Sequence, residues 1–404
     1  MAEVRRPVEA LRAEVREWLA VNWSEDITVR EWWRRLADAG YTAPTWPRPY
    51  GLGVSASEAR AISAELAAAK VVAPPTGVVG VRLAGPTLLE HGTDEQRAAY
   101  LPPLLRGEEA WCQLWSEPGA GSDLPSLSTR AEPDGDGWRV NGQKVWNSGA
   151  DIARRGLLLA RTDPAAPKRA GLTTFVIDMD QPGIEARPLR QMNGEAHFCE
   201  VFLTDARVDA GEVVGSVGAG WEVTRTTLLF ERMTATERVA RGLVFVDSGH
   251  PAGNLDRTTG DVLAAAAART TPRFTGTAIR AREMMRLAQE QGVATDPVLR
   301  DRLAGYWSLA EVHRLTQQRA AASVRLGRPP GPEGSISKLL LGRICTTSRD
   351  LSFDIVGAEA LLDGDLVTVG LSSPAVTIGA GTDEIQRNIL AEKVLGLPRE
   401  PGLE

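Results

Sequence analysis

Apolar residues recur at helical spacing towards both ends of this chain of 404 residues, and the pattern becomes that of β-strands only in the middle. Between Val8 and Leu19 they return every three or four residues, which predicts an amphipathic helix. Thr93 and Gln96 form a capping-box pair, which predicts the start of another helix. The helical pattern returns after Gly220, so the predicted order is helices, a small sheet, then helices.

The middle block contains strand patterns separated by turn residues. Residues 138–146 alternate around Asn141-Gly142, and this dipeptide predicts a hairpin because it accepts the positive φ angles of a type I′ turn. Residues 157–160 and 173–177 predict further strands, with an exposed loop at 163–170. The last helix is predicted to start at Thr382 and to stop before Gly396 and Pro398.

This order predicts an α+β, mainly α, fold in three domains. The expected boundaries are residues 1–110 for an N-terminal helical domain, 111–215 for a middle β domain and 216–404 for a C-terminal helical domain. Residues 245–272 contain Gly and Pro and interrupt the helical pattern, so they are expected to form an insertion or a long connection.

Composition excludes several classes of function. The 46 Lys and Arg against 52 Asp and Glu give a net charge of −6 without a basic block, which argues against nucleic acid as the main partner. Three distant cysteines, Cys112, Cys199 and Cys345, predict reduced thiols, and charges recur too often near the start for a secretory signal. We therefore expect a cytoplasmic protein that does not enter the membrane. The four histidines lack ligand spacing, so no metal site is expected.

Three segments combine glycine with hydroxyl or aromatic residues. Residues 113–124 read QLWSEPGAGSDL, residues 145–150 read VWNSGA, and residues 378–388 read IGAGTDEIQRN. Glycine lets a flat ligand approach the backbone, hydroxyls donate hydrogen bonds, and a helix start can hold a phosphate. Taken singly, the first segment fits an ordinary turn as well as a binding loop, the second fits a core tryptophan better than a ligand contact, and the third fits a common helix start.

In this order the three segments resemble the acyl-CoA dehydrogenase family, and the resemblance covers nearly the whole chain. It implies a helical N-terminal domain, a middle β-barrel and a C-terminal four-helix bundle that hold FAD. It also implies oxidation of an acyl-CoA thioester to the trans-2-enoyl-CoA, with electrons passed to an electron-transfer flavoprotein. The implied cofactor-binding residues are Gln113, Trp115, Ser116, Trp146, Ser148, Gly357, Thr382 and Glu384. The implied substrate-binding residues are Ser122, Arg232 and Ala380.

The resemblance also indicates where the catalytic base lies. Many family members carry it as Glu in a tail motif Y-E-G-T, where this chain has Ala380. A second solution in the family places Glu in an E-R dipeptide after a Gly-Trp pair, and this chain has Glu231-Arg232 after Gly220-Trp221. We therefore expect Glu231 to abstract the α proton.

Helical spacing places small or apolar residues on the face of Glu231, which suits a cavity wall. They are Thr224, Thr227, Leu228, Thr234 and Ala235. The alternative is a surface Glu paired with an Arg.

Quaternary structure is expected to be a homo-oligomer or a mixed α2β2 assembly with a sister subunit. After Gln291 the chain lacks an R-x-x-F-G segment that many relatives have, and relatives without it include actinobacterial subunits of mixed assemblies. An alternative function is therefore that of a non-catalytic partner subunit that supplies half of a flavin site.

Overall fold

A computed structural model of the chain describes residues 7–75, 77, 79–234, 242–268, 273–274, 276–326 and 331–398, except the side chains of 232–234 and 324–325. Its contacts form two compact units. The first unit contains residues 1–189 and 196–270, and the second contains 190–195 and 271–404. The three-domain division at residues 110 and 215 stays a prediction.

Helices precede and follow the strands in the first unit. Leu11, Val15 and Leu19 are buried on one face of the first helix, and Thr93 and Gln96 form the predicted capping box. Both predictions are confirmed. The helices are α1 (Val8–Asn22), α2 (Val29–Asp38), α3 (Ala56–Ala68), α4 (Gly85–His91), α5 (Asp94–Leu105), α6 (Gly220–Thr234) and α7 (Thr259–Ala268), with a π-helical turn at Gly80–Ala84.

The strands of the middle block join in one eight-stranded sheet. Its order is β6-β7-β3-β2-β4-β5-β8, and β1 pairs in parallel with β4. The strands are β1 (Trp111–Leu114), β2 (Arg130–Asp134), β3 (Gly137–Ser148), β4 (Arg155–Arg161), β5 (Leu172–Asp178), β6 (Ile184–Leu189), β7 (Phe198–Asp209) and β8 (Val213–Val214). The predicted strands at 157–160 and 173–177 and the loop at 163–170 are therefore confirmed.

The predicted hairpin turn at Asn141-Gly142 is wrong. Both residues lie inside β3, and the turn that joins β2 to β3 contains Gly135 at φ +66°. A Cβ atom on Gly142 would come within 2.7 Å of the Cα of Thr129, so glycine serves a close backbone approach. The Asn141 amide is hydrogen-bonded to the Asp205 carboxylate and accepts the Asp205 N–H at a register shift.

Strand β4 is buried on both faces, which explains its continuous apolar run. Leu157 and Leu159 pack into a core with the helices, whereas Leu158 and Ala160 pack into a core within the sheet. This alternation follows the two-residue period of a strand. Strand β1 pairs with β4, and its residues Trp111 and Cys112 face the same two cores in turn.

Within the predicted insertion at 245–272, residues 245–268 pack against the N-terminal helices and contain α7, and residues 269–272 lie outside the described residues. The N–H of Val29 donates to the carbonyl of Arg257 at 3.0 Å, and the N–H of Arg30 donates to that of Leu255 at 2.9 Å. These bonds satisfy N–H groups at the start of α2 that have no partner within the helix.

The second unit consists of helices around α10. The α10 helix packs against α8, α9, α11, α12 and α13. The helices are α8 (Ala281–Glu290), α9 (Pro297–Arg325), α10 (Glu333–Val356), α11 (Asp365–Ser372), α12 (Ala375–Ile378) and α13 (Asp383–Lys393). Thr382 caps α13, which ends before Gly396, so the predicted last helix is confirmed. Across the described ranges of both units, no helix is long and apolar enough to cross a membrane.

Candidate active site

The first candidate segment continues from the end of β1. Gln113 and Leu114 pair with Leu157 and Leu158 of β4, and Trp115 and Ser116 follow where the chain leaves the sheet. Glu117 and Ala120 then exchange two backbone hydrogen bonds, with N···O distances of 3.0 and 3.1 Å. The tight turn between them presents Gly119 at the surface.

The second candidate segment is a bulge near the end of β3. The register with β7 shifts between Lys144 and Asn147, and Trp146 within the shift has φ +63°. The Trp146 side chain is 60% exposed and meets the Phe198 ring edge-on, with 5.9 Å between the ring centroids. A bulky residue with positive φ is a backbone outlier, and such outliers concentrate at functional sites. The bulge therefore presents an aromatic ring outwards, with Ser148 exposed two residues later.

Hydrogen bonds join these two segments. The N–H of Val145 donates to the Ser116 carbonyl at 2.9 Å, and the Asn147 amide nitrogen donates to the Gln113 carbonyl at 2.6 Å. The structure thus brings together the segments of the five predicted flavin-facing residues, which lie about thirty residues apart in the chain.

A buried ion pair lies beneath the joined segments. The Lys144 ammonium is 2.9 Å from Oε1 of Glu117, and the two side chains are 0% and 4% exposed. Burial lowers the pKa of Lys144 to about 8, although Glu117 opposes this shift. Burial alone would raise the pKa of Glu117, but the Lys144 charge and hydrogen bonds from Thr129 and Ser128 lower it to about 2. Both groups are therefore charged at neutral pH.

Ser122 is exposed on the loop between Glu117 and Ser128, in which Leu124 and Leu127 are buried. Lys168, on the loop between β4 and β5, binds the Asp123 carboxylate at 3.0 Å and the Ser126 hydroxyl at 2.6 Å. Arg169 of the same loop stacks over the Trp221 ring, 5.3 Å from its centroid. The Ser122 hydroxyl thus lies on a loop that is held to a neighbouring loop by an ion pair.

Glu231 lies on α6, four residues after Thr227 and seven after Thr224. The Thr224 and Thr227 side chains are fully buried, and Leu228 and Glu231 are half-buried. The face predicted from helical spacing is thus partly buried as far as the structure describes it. The side chains of Arg232 and Thr234, and all of Ala235, lie outside the described residues.

In the second unit, the tail segment forms the start of α13. Ala380 has φ +54° and Gly381 has φ +80°. The Thr382 hydroxyl accepts the Ile385 N–H, and the buried Gln386 amide donates to the Ala380 carbonyl at 3.1 Å. The methyl side chain of Ala380 cannot accept a proton, so this position does not supply a base.

In the second unit, Gly357 lies at the C-terminal end of α10 and Glu384 lies at the N-terminal end of α13. Gly357 ends α10 with φ +59° and ψ −126°, a conformation that favours glycine. Glu384 is exposed in the first turn of α13 and pairs with Arg387 at 3.1 Å. Its pKa is lowered first by the hydrogen bond from its own backbone N–H and then by Thr382. This negative charge weakens the case for a phosphate at the start of α13.

The first unit has the features that a flavin ring requires. Within the described residues, the buried Trp115 indole nitrogen and the buried Asn147 amide oxygen lack hydrogen-bond partners. Buried polar atoms are usually satisfied, so atoms without partners are consistent with a bound group. The exposed Trp146 ring offers an aromatic face, and Ser148 and Ser116 offer hydroxyls. These residues fit a planar heteroaromatic cofactor.

Sequence reasoning did not identify the Lys144–Glu117 pair. A charged residue in a strand is usually exposed, and the predicted hairpin gives no indication that Lys144 is buried. The signal was the alternation in β3, where Val140, Gly142 and Lys144 share one face and Val140 is buried.

Comparison with known families gives three matches along the chain. The model of the acyl-CoA dehydrogenase N-terminal domain matches residues 2–108. The middle-domain model matches residues 112–206, and the C-terminal-domain model matches residues 262–395. The three matches follow the chain in the order of the family.

Individual relatives agree with these matches. The chain is 40% identical to acyl-CoA dehydrogenase FadE34 of Mycobacterium tuberculosis over 90% of its own length but only 46% of FadE34. It is 36% identical to acyl-CoA dehydrogenase IpdE1 of the same organism, over 97% of its own length and 98% of IpdE1. The solved Tcur3481-Tcur3483 steroid ACAD has a TM-score of 0.70 and 26% identity, over 98% of this chain and 100% of that chain.

Proposed function

The chain belongs to the acyl-CoA dehydrogenase family of FAD-dependent oxidoreductases, and we propose that it converts an acyl-CoA to the trans-2-enoyl-CoA with Glu231 as the base. One observation carries this assignment of the base. Ala380 occupies the tail position where many family members have the base. Glu231, in contrast, is a half-buried carboxylate on a helix face with two fully buried threonines.

The reaction needs a positioned base because the α proton of a thioester is weakly acidic. In the proposal, the Glu231 carboxylate accepts this proton, and Ser122 contacts the thioester part of the ligand. Partial burial of Glu231 limits the water around the carboxylate and favours proton transfer from substrate.

Trp146, Ser148, Ser116, Trp115 and Gln113 would hold the flavin ring. When bound, FAD supplies the two-electron acceptor for the hydride that leaves the β carbon. The joined strands keep the aromatic face and the hydroxyls in fixed relative positions, which lowers the entropic cost of alignment. The cofactor contacts that the resemblance implies at Gly357, Thr382 and Glu384 stay a prediction.

The decisive experiment replaces Glu231 by Gln. This change keeps the shape of the side chain and removes the proton acceptor, so acyl-CoA still binds while flavin reduction slows by about 10²–10⁴-fold. The matched control is Glu222→Gln, an exposed position on the same helix, which leaves the rate unchanged. Near-parental flavin reduction in Glu231→Gln would exclude Glu231 as the base.

The acyl group is proposed to be steroid-like, because a solved relative is named as a steroid ACAD. The test measures kcat/KM for a panel of acyl-CoA thioesters, from short and branched to sterol-sized, with a dye acceptor. We expect the highest kcat/KM for polycyclic acyl groups, and a preference for short linear chains would contradict this substrate class.

The assembly is proposed to be α2β2 with a sister subunit, and the electron acceptor to be an electron-transfer flavoprotein. The name of the solved relative joins two proteins, and the segment after Gln291 lacks the R-x-x-F-G pattern that many relatives have. The alternative to a catalytic subunit is a non-catalytic partner that supplies half of a flavin site. The visible spectrum of the chain purified alone distinguishes these two functions, since flavin bands favour a catalytic subunit.

A further inference from the structure

The Lys144–Glu117 pair needs an explanation other than stability. Removing two charges from water costs free energy that their mutual attraction often fails to recover. Both side chains are nonetheless almost fully buried, with 2.9 Å between Nζ and Oε1. A pair of apolar residues would fill the same space without that cost. What apolar residues could not replace is the set of hydrogen bonds that Lys144 and Glu117 make.

The Lys144 ammonium donates to three groups on two other chain segments. It donates to the Trp115 carbonyl at 3.0 Å, to the Leu159 carbonyl at 2.8 Å and to the Glu117 carboxylate. An ammonium has three donors, so this set uses all of them. The backbone that leads to Ser116 is thereby fixed relative to β4.

The Glu117 carboxylate closes the base of the loop that carries Ser122. Its Oε2 accepts the Ser128 N–H at 2.6 Å and the Ser128 hydroxyl at 2.8 Å, and its Oε1 accepts the Thr129 N–H at 2.9 Å. Together with Lys144, these donors occupy both oxygens. One carboxylate thus joins the two ends of the loop at 118–127.

We propose that Lys144 and Glu117 are positioning residues that hold the flavin-facing segments 113–116 and 146–148 and the Ser122 loop in one geometry. They act beneath these segments through the backbone. The Val145 N–H, next to Lys144, donates to the carbonyl of Ser116, next to Glu117, so a shift of either member moves both segments. This inference rests on the proposed function, because it assigns a role towards the flavin and the thioester.

The experiment removes the charges together and measures FAD binding. Lys144→Met keeps the length of the side chain, and Glu117→Gln keeps its shape, so the double variant leaves no unpaired buried charge. The control is Arg12→Met with Glu65→Gln, which removes the ion pairs of Glu65 with Arg12 and Arg16 between α1 and α3. The measurements are the FAD Kd, the position of the visible flavin band and the melting temperature of the FAD-free protein.

We expect the double variant to raise the FAD Kd roughly tenfold, the effect of losing one or two hydrogen bonds, and to shift the flavin band. The control variant keeps the parental Kd and band whatever its melting temperature. A folded double variant with the parental Kd and band overturns the positioning role. Failure of the parent itself to bind FAD, alone or with a sister subunit, counts instead against the proposed function.

A second variant covers the case in which the double variant does not fold. Glu117→Asp keeps the charge beside Lys144 but withdraws the carboxylate by one carbon–carbon bond, so it cannot reach Ser128 and Lys144 together. We expect a raised KM for acyl-CoA and a raised FAD Kd, with kcat reduced by up to about 10²-fold through misplacement. Parental values for all three quantities would refute the proposal.

Discussion

The hydroxyls of Thr227 and Thr87 lie 2.8 Å apart and join α6, the helix of the proposed base, to α4. Both side chains are fully buried. The Thr227 hydroxyl also lies 3.0 Å from the Val223 carbonyl, and that of Thr87 lies 2.7 Å from the Leu83 carbonyl. The contact fixes α6 one turn before Glu231, so its loss is expected to affect both stability and the position of the base.

Thr227→Val removes this hydrogen bond with little change of volume. We expect a loss of about 1 kcal/mol in the free energy of unfolding, measured by chemical denaturation. A double-mutant cycle with Thr87→Val isolates the coupling between the two hydroxyls. The control is Thr316→Val on α9, where the hydroxyl donates to the Val312 carbonyl of its own helix. Equal losses at Thr227 and Thr316 would contradict the inter-helix role.

Gly220→Ala tests how closely α6 approaches the sheet. A Cβ atom there would lie 2.7 Å from the Cα of Thr173, so backbone must move, and we expect a loss of about 1–3 kcal/mol. Gly305→Ala is the control, because α9 leaves its Cβ in open space and alanine favours the helix by about 0.5–1 kcal/mol. Opposite signs in denaturation are expected, and a neutral Gly220→Ala would disprove the close approach.

The order of elements and the helix caps were predictable because they depend on local chemistry. Thr93 and Thr382 cap their helices through their own side chains and neighbouring N–H groups. Such bonds need no distant partner, so the sequence contains the whole signal. Residues at the two flavin-facing segments were found only through family resemblance, since each segment alone also fits an ordinary turn.

The error at Asn141-Gly142 has a physical cause. Glycine is favoured both where a turn needs a positive φ and where a side chain would clash with nearby backbone, so the Asn-Gly pair alone does not distinguish a turn from a close approach. Gly142 faces Thr129, which lies thirteen residues earlier, and Gly135 holds the true turn. The Lys144–Glu117 pair was not predicted for a related reason, because burial of Lys144 depends on the register of β3 with its neighbours.

Trp146→Asn separates backbone strain from cofactor contact. Asn accepts positive φ better than Trp, and the strain relieved, roughly 1–2 kcal/mol, offsets the lost ring contact with Phe198. We therefore expect the FAD-free protein to change in stability by less than about 1 kcal/mol, while the FAD Kd rises about tenfold or more. Trp138→Asn, in the same strand, is the control.

Trp138 packs edge-on against Phe175, with 5.6 Å between ring centroids. Trp138 is half-buried, and its replacement is expected to cost about 1–3 kcal/mol in the free energy of unfolding. Calorimetry should therefore show the larger loss of stability in Trp138→Asn, whereas flavin titration should show the larger rise in FAD Kd in Trp146→Asn. A Trp146→Asn protein with parental FAD affinity would remove Trp146 from the flavin site.

The pH dependence of stability reports on the buried pair. The pKa of Glu117 is about 2 in the folded protein against an ordinary value of 4.5, so the stability it contributes is present above pH 4.5 and is lost as pH falls towards 2. The pKa of Lys144 is about 8 against 10.5, so its burial cost is relieved as pH rises from 8 to 10.5. Each shift corresponds to roughly 3 kcal/mol, and stability rises with pH across both windows.

Lys144→Met is expected to change both windows. Without the ammonium, only the hydrogen bonds from Thr129 and Ser128 oppose the effect of burial, so the folded pKa of Glu117 rises, the loss of stability in acid becomes smaller, and the rise between pH 8 and 10.5 disappears. Denaturation curves at a series of pH values measure both effects.

Glu31 provides a contrast to Glu117. Hydrogen bonds from Arg34 and Arg35 lower the pKa of Glu31 to about 2, but this carboxylate lies at the surface. Added salt should weaken its share in the acid window, since exposed pairs contribute about 0–1 kcal/mol, and leave that of Glu117. An acid limb that salt removes completely would contradict the buried pair as its source.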